Sequence, residues 1–347
     1  MGDTINMAPS VQELVKHNIS KVPQQYLQLN QDPVVISDTT TPLPQLPVIE
    51  LSKLLCEDAT EIEKLDRACK EWGFFQLMNH GVDPLLIENV KTGIEEFFKI
   101  PIEEKKKFWQ TPEEMQGFGQ LYVTLEEEKL RWGDMFFVKT FPLHTRHPHL
   151  IPSIPQPFRD DFENYSLEMK KLSISIMEFM SKALKIKPNE LLDLFEDGSQ
   201  AMRMGYYPPC PQPEHVIGLN PHSDASAITI LLEVNQVQGL QIKKDGMWIP
   251  VEPLSNAFLV NVGDALEVLT NGIYKSIEHR VTVNSMKERI SLAAFHFPRM
   301  GGYVGPTPSL VTPETPALFK TISIEDFVKN NLSSRIKGKS YLDGLRI

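Results

Sequence analysis

The chain has 347 residues, of which 41% are hydrophobic and 23% are charged, a balance typical of globular proteins with a substantial core. Its 35 lysines and arginines against 45 aspartates and glutamates give a net charge of −10, and no basic run is long enough to follow a phosphate backbone. These features argue against a nucleic-acid partner.

The cysteines and the lack of long apolar runs predict the cellular compartment of the protein. Cys56, Cys69 and Cys210 are odd in number and scattered, which argues against a disulfide framework and favours a reducing compartment. The sequence contains neither an apolar run of membrane length nor a signal-peptide core near Met1. We expect a cytosolic protein without membrane contacts, and we take it to be a monomer.

The first part of the chain is predicted to alternate helices with short strands. Ser10 followed by Glu13 forms a capping box, which predicts a short helix, and an extended arm follows over residues 28–47. Helical spacing of apolar residues and strand-like runs predict the next elements. Predicted helices cover residues 62–72, 83–98 and 102–108, and predicted strands cover residues 47–51 and 74–78.

Residues 112–123 are predicted to form an aromatic loop, which we interpret as a candidate lid over a substrate. A strand is predicted over residues 132–138.

Three further histidines, His80, His147 and His149, could be considered as metal ligands. We predict a structural turn at His80 and a surface loop at His147 and His149, because no carboxylate follows that pair at a useful spacing.

The second half begins with the clearest periodicity of the chain. Apolar residues recur at steps of three and four from Phe158 to Ala183, which predicts one long amphipathic helix, and a shorter helix follows over residues 191–195. The pattern then changes to short strands separated by turn signals. Predicted strands cover residues 227–234, 239–243, 248–251, 257–262, 275–281 and 289–297. We predict an α+β protein with a two-sheet jelly-roll core, an N-terminal helical region and a long bracing helix.

Two histidines and an aspartate have the pattern of a metal site. His222 and Asp224 lie two residues apart in a predicted strand, so their side chains point to the same face. His279 lies in the predicted strand over residues 275–281. Two imidazoles and one carboxylate, with neighbouring positions open, are the ligands of a reactive ferrous centre. On these three residues alone, a chance pattern remains the alternative.

An arginine and a serine follow on a strand that is predicted to be buried on both faces. Arg289 and Ser291 lie two residues apart, and a guanidinium beside a hydroxyl suits a carboxylate ligand through charge-assisted hydrogen bonds. The phenol of Tyr207 is positioned to add another hydrogen bond. An internal salt bridge from Arg289 to an acidic side chain of the protein is the alternative.

Taken together, these residues resemble the plant 2-oxoglutarate- and Fe(II)-dependent dioxygenases. The resemblance rests on the order and spacing of His222-x-Asp224, His279, Arg289-x-Ser291 and the run Tyr206-Tyr207-Pro208-Pro209-Cys210-Pro211. Residues 68–82 look like the other signature of that family, so the resemblance covers nearly the whole chain. Residues 310–320 are similar to the specialised-metabolism branch that includes the alkaloid O-demethylases of opium poppy.

The resemblance implies a double-stranded β-helix, a set of cofactors and a reaction class. Fe(II) would be held by His222, Asp224 and His279. The co-substrate 2-oxoglutarate would be bound by Arg289, Ser291 and Tyr207. Dioxygen and ascorbate would be the oxidant and the reductant, and an aromatic metabolite, foremost an alkaloid, would be hydroxylated or O-demethylated. The alternatives are a flavonoid or hormone hydroxylase or desaturase, an oxidase without 2-oxoglutarate, and a non-enzymatic ligand-binding jelly roll.

Candidate substrate contacts follow from strand alternation and from aromatic content. Phe295 shares a strand face with Arg289 and Ser291, so we expect its ring to reach the substrate. The other candidates are Phe118, Tyr122, Met135 and Phe297.

One position departs from the family pattern. Asparagine usually precedes the paired tyrosines, and Gly205 stands there in this chain. Losing that amide predicts weaker or differently oriented 2-oxoglutarate binding, or room for a bulkier substrate. For the chain as a whole, we expect an N-terminal region over residues 1–196, a catalytic core over residues 197–300 and a C-terminal helical segment over residues 301–347.

Overall fold

The computed structural model describes residues 9–28, 44–111, 116–120, 129–151, 157–333 and 340–347. Most of the extended arm predicted over residues 28–47 lies outside this part of the chain, and so does Tyr122. Within it, no helix combines the length and the apolarity needed to cross a lipid bilayer.

The described residues form ten α-helices, and side-chain caps from Ser10 and Asp83 begin two of them, as the sequence predicts. They are α1 (Val11–Lys16), α2 (Leu51–Leu55), α3 (Ala59–Glu71), α4 (Pro84–Lys99), α5 (Ile102–Lys105), α6 (Phe158–Leu184), α7 (Asn189–Leu192), α8 (Asp264–Leu269), α9 (Ile324–Ser333) and α10 (Ser340–Leu345). The hydroxyl of Ser10 accepts the backbone N–H of Glu13 at the start of α1, and Asp83 caps α4 ahead of Pro84.

Fourteen strands lie in the same described ranges, and most of them fall where the sequence pattern predicts them. They are β1 (Val48–Glu50), β2 (Phe74–Met78), β3 (Gly117–Gly119), β4 (Asp134–Phe141), β5 (Ser199–Tyr207), β6 (Leu219–His222), β7 (Ile228–Glu233), β8 (Leu240–Lys244), β9 (Met247–Pro250), β10 (Phe258–Val262), β11 (His279–Val281), β12 (Arg289–Phe297), β13 (Tyr303–Val304) and β14 (Ile322–Ser323).

The strands form two principal sheets, as expected for a jelly roll. The larger sheet has the order β1-β2-β10-β7-β12-β5-β4-β3, and the smaller one has the order β6-β11-β8-β9. Phe74 and Leu259 of the larger sheet pack with Leu240 and Ile242 of the smaller one in a single apolar cluster. The predicted α+β jelly-roll fold is confirmed, with the two sheets facing each other across this cluster.

The long helix α6 covers the other face of the larger sheet. Its apolar residues at steps of three and four, such as Phe158, Tyr165 and Met180, are buried in the main core, as the periodicity predicted. Leu292 and Ala294 of β12 belong to the same core. Because side chains alternate along a strand, the intervening residues of β12 point into the space between the sheets.

The strand predicted over residues 275–281 is wrong in its first half, since β11 contains only His279–Val281. Ser276 donates its backbone N–H to the carboxylate of Glu267 and its hydroxyl to that of Asp264. Both acceptors belong to α8, where only turn signals were predicted. Side-chain acceptors of a neighbouring helix therefore hold this segment, and a partner strand is not required.

The loop predicted over residues 112–123 contains a strand in its described part. Gly117–Gly119 pairs antiparallel with β4, which places Phe118 opposite Phe136. Phe118 is fully buried, and its ring lies 6.3 Å from that of Phe97 in the main core. The loop prediction is wrong for these three residues, because they complete the edge of the larger sheet.

Candidate active site

A cavity with a volume of about 30 Å³ lies between the two sheets. Polar side chains converge on it from both sheets. Its lining includes Arg203, Tyr207, Asp224, His279, Arg289, Ser291 and Phe295. The fold thus gathers into one cavity most of the residues predicted from the sequence.

The pairing of β6 with β11 brings the two histidines together, since His279 lies opposite His222 in the register. Asp224 lies just beyond the end of β6, and its Oδ1 is 3.6 Å from Nε2 of His222 and 3.7 Å from Nε2 of His279. The three potential ligand atoms all lie within 4.8 Å of one another, and the described residues contain no other such group of three.

Hydrogen bonds on the far side of each imidazole orient it toward the centre of this group. Nδ1 of His222 is 2.8 Å from the carbonyl oxygen of Asn220, and Nδ1 of His279 is 3.2 Å from that of Ile277. Because a carbonyl only accepts, each Nδ1 carries the hydrogen and each Nε2 keeps its lone pair. Nε2 of His222 is buried and has no hydrogen-bond partner in the described structure, which is the situation of an atom placed for a metal ion.

Two hydrogen bonds fix the carboxylate of Asp224. Its Oδ2 accepts from the Thr229 hydroxyl at 2.6 Å and from the Asn261 amide at 2.9 Å, so Oδ1 is left to face the histidines. Burial raises the pKa of Asp224. His279, His222 and these two hydrogen bonds lower it by a larger amount, so the pKa falls from 3.8 to about 2. Burial and the nearby His279 hold the pKa of His222 well below its usual range. A carboxylate beside neutral imidazole is the protonation state that a divalent metal requires.

Arg289 forms the internal salt bridge that the sequence left as the alternative, and it also contacts Ser291. One guanidinium nitrogen donates to Ser291 at 3.4 Å, and another donates to the buried carboxylate of Glu233 on β7. The guanidinium also lies over the ring of Tyr207, 5.4 Å from its centroid. The guanidinium that lines this cavity and was predicted to bind a carboxylate ligand is therefore already paired with a carboxylate of the protein.

Gly205 lies in the same row of the sheet as Ser291, directly across from it. A Cβ atom at Gly205 would lie 3.1 Å from the ring and 3.2 Å from the hydroxyl of Tyr207, and 3.3 Å from the hydroxyl of Ser291. Because Gly205 has no side chain, the ring and hydroxyl of Tyr207 can occupy the space beside the hydroxyl of Ser291. The expected effect of Gly205 on 2-oxoglutarate binding stays a prediction.

The predicted substrate contacts have separate outcomes in the structure. Phe295 lines the cavity, and Met135 lies opposite Gly205 on the same sheet face. Phe118 points to the opposite face and is buried beside Phe136 in the core, so the structure does not support its contact with substrate, which stays a prediction. Phe297 lies farther along β12, beyond the lining of the cavity, and Tyr122 is outside the described residues.

The other histidines are not part of the cavity. The ring of His80 packs 4.3 Å from that of Phe258, and its Nδ1 accepts the N–H of Val82, as expected for a structural turn. His147 and His149 lie 5.6 Å apart, by ring centroids, on the loop after β4, and neither belongs to a three-residue ligand group in the described structure.

Four polar residues of the site were missed in the sequence. Arg203 lines the cavity, with its guanidinium carbon 5.2 Å from the Phe295 ring centroid, and alternation along β5 from Tyr207 could have found it. Thr229, Glu233 and Asn261 were not identified, because they lie on strands whose pairing with the site residues carries no local signal.

A jelly roll that holds two imidazoles and a carboxylate between its sheets defines the class of non-haem iron oxygenases, and this donor set fits Fe(II). Residues 198–298 match the 2OG-Fe(II) oxygenase superfamily, and residues 46–154 match the non-haem dioxygenase in morphine synthesis N-terminal family. Over 345 residues the chain is 50% identical to codeine O-demethylase of Papaver somniferum, covering 98% of this chain and 96% of that one. The chain belongs to the 2-oxoglutarate- and Fe(II)-dependent dioxygenases.

Two further proteins extend the comparison. Oxoglutarate-dependent flavonoid 7-O-demethylase 1 of Ocimum basilicum is 50% identical over 341 residues, which cover 98% of this chain and 91% of that one. The crystal structure of JOX2 in complex with 2OG, Fe and JA has a TM-score of 0.88 at 35% identity and covers 98% of both chains. The family, the enzymatic class and the use of Fe(II) and 2-oxoglutarate predicted from the sequence are confirmed.

Removing both donors to Asp224 is expected to weaken Fe(II) binding about 10–100-fold, because the free carboxylate no longer keeps Oδ1 toward the histidines. The variant combines Thr229→Val with Asn261→Leu, and its Fe(II) affinity is measured anaerobically against a competing chelator. Thr282→Val is the matched control, since it loses a hydrogen bond to Gly239 away from the cluster. Equal Fe(II) affinity in the double variant and the control would contradict the orienting role.

Proposed function

We propose that His222, Asp224 and His279 hold the Fe(II) ion of this enzyme. The convergence of their ligand atoms within 4.8 Å, and the buried Nε2 of His222 without a hydrogen-bond partner in the described structure, support this assignment. Bound iron supplies the reduction of dioxygen that is coupled to oxidative decarboxylation of 2-oxoglutarate to succinate and to oxidation of the substrate. Ascorbate is proposed as the reductant that keeps the iron ferrous.

The distal carboxylate of 2-oxoglutarate is proposed to bind Arg289, Ser291 and Tyr207. These side chains line the same cavity as Asp224 and His279, which supports a co-substrate that spans from the metal to the guanidinium. Arg289 binds and orients this carboxylate, and the hydroxyls of Ser291 and Tyr207 add donors. The apolar wall at Phe295 then leaves the remaining side of the cavity to the organic substrate.

The substrate is proposed to be a methoxylated aromatic specialised metabolite, with an alkaloid as the first candidate and a flavonoid as the second. The observation that carries this proposal is 50% identity over 98% of the chain to two O-demethylases, one named for codeine and one for flavonoids. Phe295 offers a ring to stack on an aromatic scaffold, and Arg203 beside it offers a cation. Met135 and Phe297 are weaker candidates for substrate contact.

The proposed reaction inserts one oxygen atom of dioxygen into a C–H bond of the methoxy group. The resulting hemiacetal breaks its C–O bond, which releases formaldehyde and the free hydroxyl product. The other oxygen atom ends in succinate, and one carbon dioxide leaves from 2-oxoglutarate. One turnover therefore converts one dioxygen, one 2-oxoglutarate and one methoxylated substrate into one succinate, one carbon dioxide, one formaldehyde and one hydroxyl product.

This stoichiometry is tested with trideuteromethoxy alkaloids and flavones. We expect deuterated formaldehyde and succinate in equal amounts with at least one of them, and a slower rate than with the unlabelled ether, because a C–H bond of the methyl group is broken. Succinate with a ring-hydroxylated product and no formaldehyde would establish a hydroxylase. Iron-loaded protein that binds no 2-oxoglutarate would overturn the proposed sites themselves.

The localisation, the oligomeric state and the domain boundaries of the enzyme are also proposals. We propose a cytosolic monomer without nucleic-acid or membrane partners, which the net charge of −10 and the three scattered cysteines support. We further propose a catalytic core over residues 197–300, preceded by a region over residues 1–196 and followed by a segment over residues 301–347. The family matches over residues 46–154 and 198–298 support the first boundary.

A further inference from the structure

Glu233 places a carboxylate against the guanidinium of Arg289, which is proposed to bind the distal carboxylate of the co-substrate. It lies next to Ser291 across the β7–β12 pairing, in the same row of the sheet as Gly205 on β5. Its side chain is buried, and one of its oxygens accepts a hydrogen bond from Arg289. Its second oxygen is buried without a hydrogen-bond partner in the described structure.

This pairing changes the charge that an incoming ligand meets. Arg289 and Glu233 are 2% and 7% exposed, so their charges compensate each other with little help from water. A second carboxylate brought to the same guanidinium would put two negative charges against one positive charge in a buried site. Two carboxylates that share such a site repel each other, which raises the pKa of one of them and favours uptake of a proton.

We propose that Glu233 competes with 2-oxoglutarate for Arg289, so that binding of the co-substrate is coupled to uptake of one proton by Glu233. The proton comes from solvent and neutralises the Glu233 carboxylate, while the guanidinium turns its hydrogen bonds to the distal carboxylate of the ligand. This proposal rests on the role of Arg289 in the proposed function. It makes the co-substrate affinity of this enzyme dependent on pH through a residue that does not touch the metal.

The surroundings of Glu233 favour protonation. Burial raises the pKa of Glu233, and Arg289 opposes this only in part. Glu233 lines an adjoining cavity together with His80, Glu88 and Lys91. On the side of Arg289, the titratable groups are Tyr207, which lies under the guanidinium, and Arg203, which lines the same cavity as Arg289. A ligand carboxylate adds a negative charge, so the pKa of Glu233 is higher in the complex than in the free enzyme.

The sign of the pH dependence follows from these two states. Below the pKa of Glu233 in the free enzyme, Glu233 is already neutral and 2-oxoglutarate binds without proton uptake. Between that pKa and the higher pKa in the complex, affinity falls as pH rises, by up to about tenfold per pH unit for one proton. Glu233→Gln keeps the shape and the acceptor for Arg289 but has no proton to exchange, so its affinity is expected to be nearly independent of pH.

The proton is counted by calorimetric titration of the Fe(II)-loaded enzyme with 2-oxoglutarate, without oxygen, in buffers that differ in ionisation enthalpy. We expect up to one proton taken up per ligand in the wild type between pH 6 and 8, and none in Glu233→Gln. We also expect the variant to bind more tightly at the upper end of this range. The matched control is Glu252→Gln, which neutralises an exposed carboxylate and should behave as the wild type.

The outcomes separate this proposal from the one it rests on. Wild-type enzyme that binds 2-oxoglutarate without proton uptake, or the same uptake in Glu233→Gln, would overturn the role of Glu233 and leave the proposed function intact. Binding that is equally tight in Arg289→Ala, or no binding at all, would overturn the proposed co-substrate site and this proposal with it. If Glu233→Gln does not fold, a wild-type enzyme that takes up no proton still overturns the role of Glu233.

Discussion

In Asp224→Ala, tight Fe(II) binding and turnover are expected to be lost together. Replacing groups that only orient metal ligands costs about 10–100-fold in affinity, so removing the single carboxylate ligand is expected to cost at least about a hundredfold. The measurements are anaerobic Fe(II) titration and the visible charge-transfer band that forms when 2-oxoglutarate chelates the metal. Asp197→Ala removes an exposed carboxylate and is expected to retain both. A full band in Asp224→Ala would contradict the assigned metal site.

The same substitution has a pH-dependent effect on folding stability in metal-free protein. The pKa of Asp224 is lowered from 3.8 to about 2 in the folded state, so its ionised form stabilises the fold. This contribution is fully present above its ordinary pKa and is lost as the pH falls toward 2. We therefore expect the stability difference between the wild type and Asp224→Ala to shrink below about pH 4. Denaturant unfolding across this range also reports whether the variant is folded when its iron affinity is measured.

Arg289→Ala is expected to weaken 2-oxoglutarate binding by about 2–5 kcal/mol, which is about thirtyfold or more. The substitution removes the buried cation that faces the ligand, and it also leaves the Glu233 carboxylate without its partner. A buried charge that loses its partner costs about 3–5 kcal/mol of stability unless it becomes protonated. Because Glu233 has a raised pKa, we expect the loss of stability to be larger at pH 8 than at pH 6.

A double variant separates these two effects of Arg289. Arg289→Ala with Glu233→Gln removes the isolated carboxylate, so it is expected to recover much of the stability while its affinity for 2-oxoglutarate stays low. Dissociation constants from the anaerobic charge-transfer titration are compared with midpoints of denaturant unfolding for both variants. Wild-type affinity in Arg289→Ala would show that the co-substrate carboxylate binds elsewhere, whatever the stability of the variant.

The metal ligands could be predicted from the sequence although the local structure was partly wrong. His222 and Asp224 were predicted to share a strand face, whereas the strand ends at His222 and Asp224 follows it. The two side chains still meet, because the pairing of β6 with β11 places His279 opposite His222. The hydrogen bonds from Thr229 and Asn261 then turn the carboxylate toward both histidines.

The loop prediction around Phe118 is wrong for a simple physical reason. An aromatic run flanked by glycines was interpreted as a lid, but Gly117–Gly119 pairs with β4 as the edge strand of the larger sheet. The alternation of side chains then decides the face of each residue. Phe118 falls on the face covered by the helices, and Met135 falls on the face of the cavity.

The sequence by itself determined the features that depend on local periodicity and on side-chain chemistry. The long helix from Phe158, the succession of short strands, the triad of His222, Asp224 and His279, and the pair of Arg289 with Ser291 are of this kind. Only the tertiary structure decided that Glu233 pairs with Arg289 and that Asn261 donates a hydrogen bond to Asp224. The reason is that strand pairing and sheet packing bring together residues from distant parts of the chain. A local periodic pattern does not indicate which of these residues will be in contact.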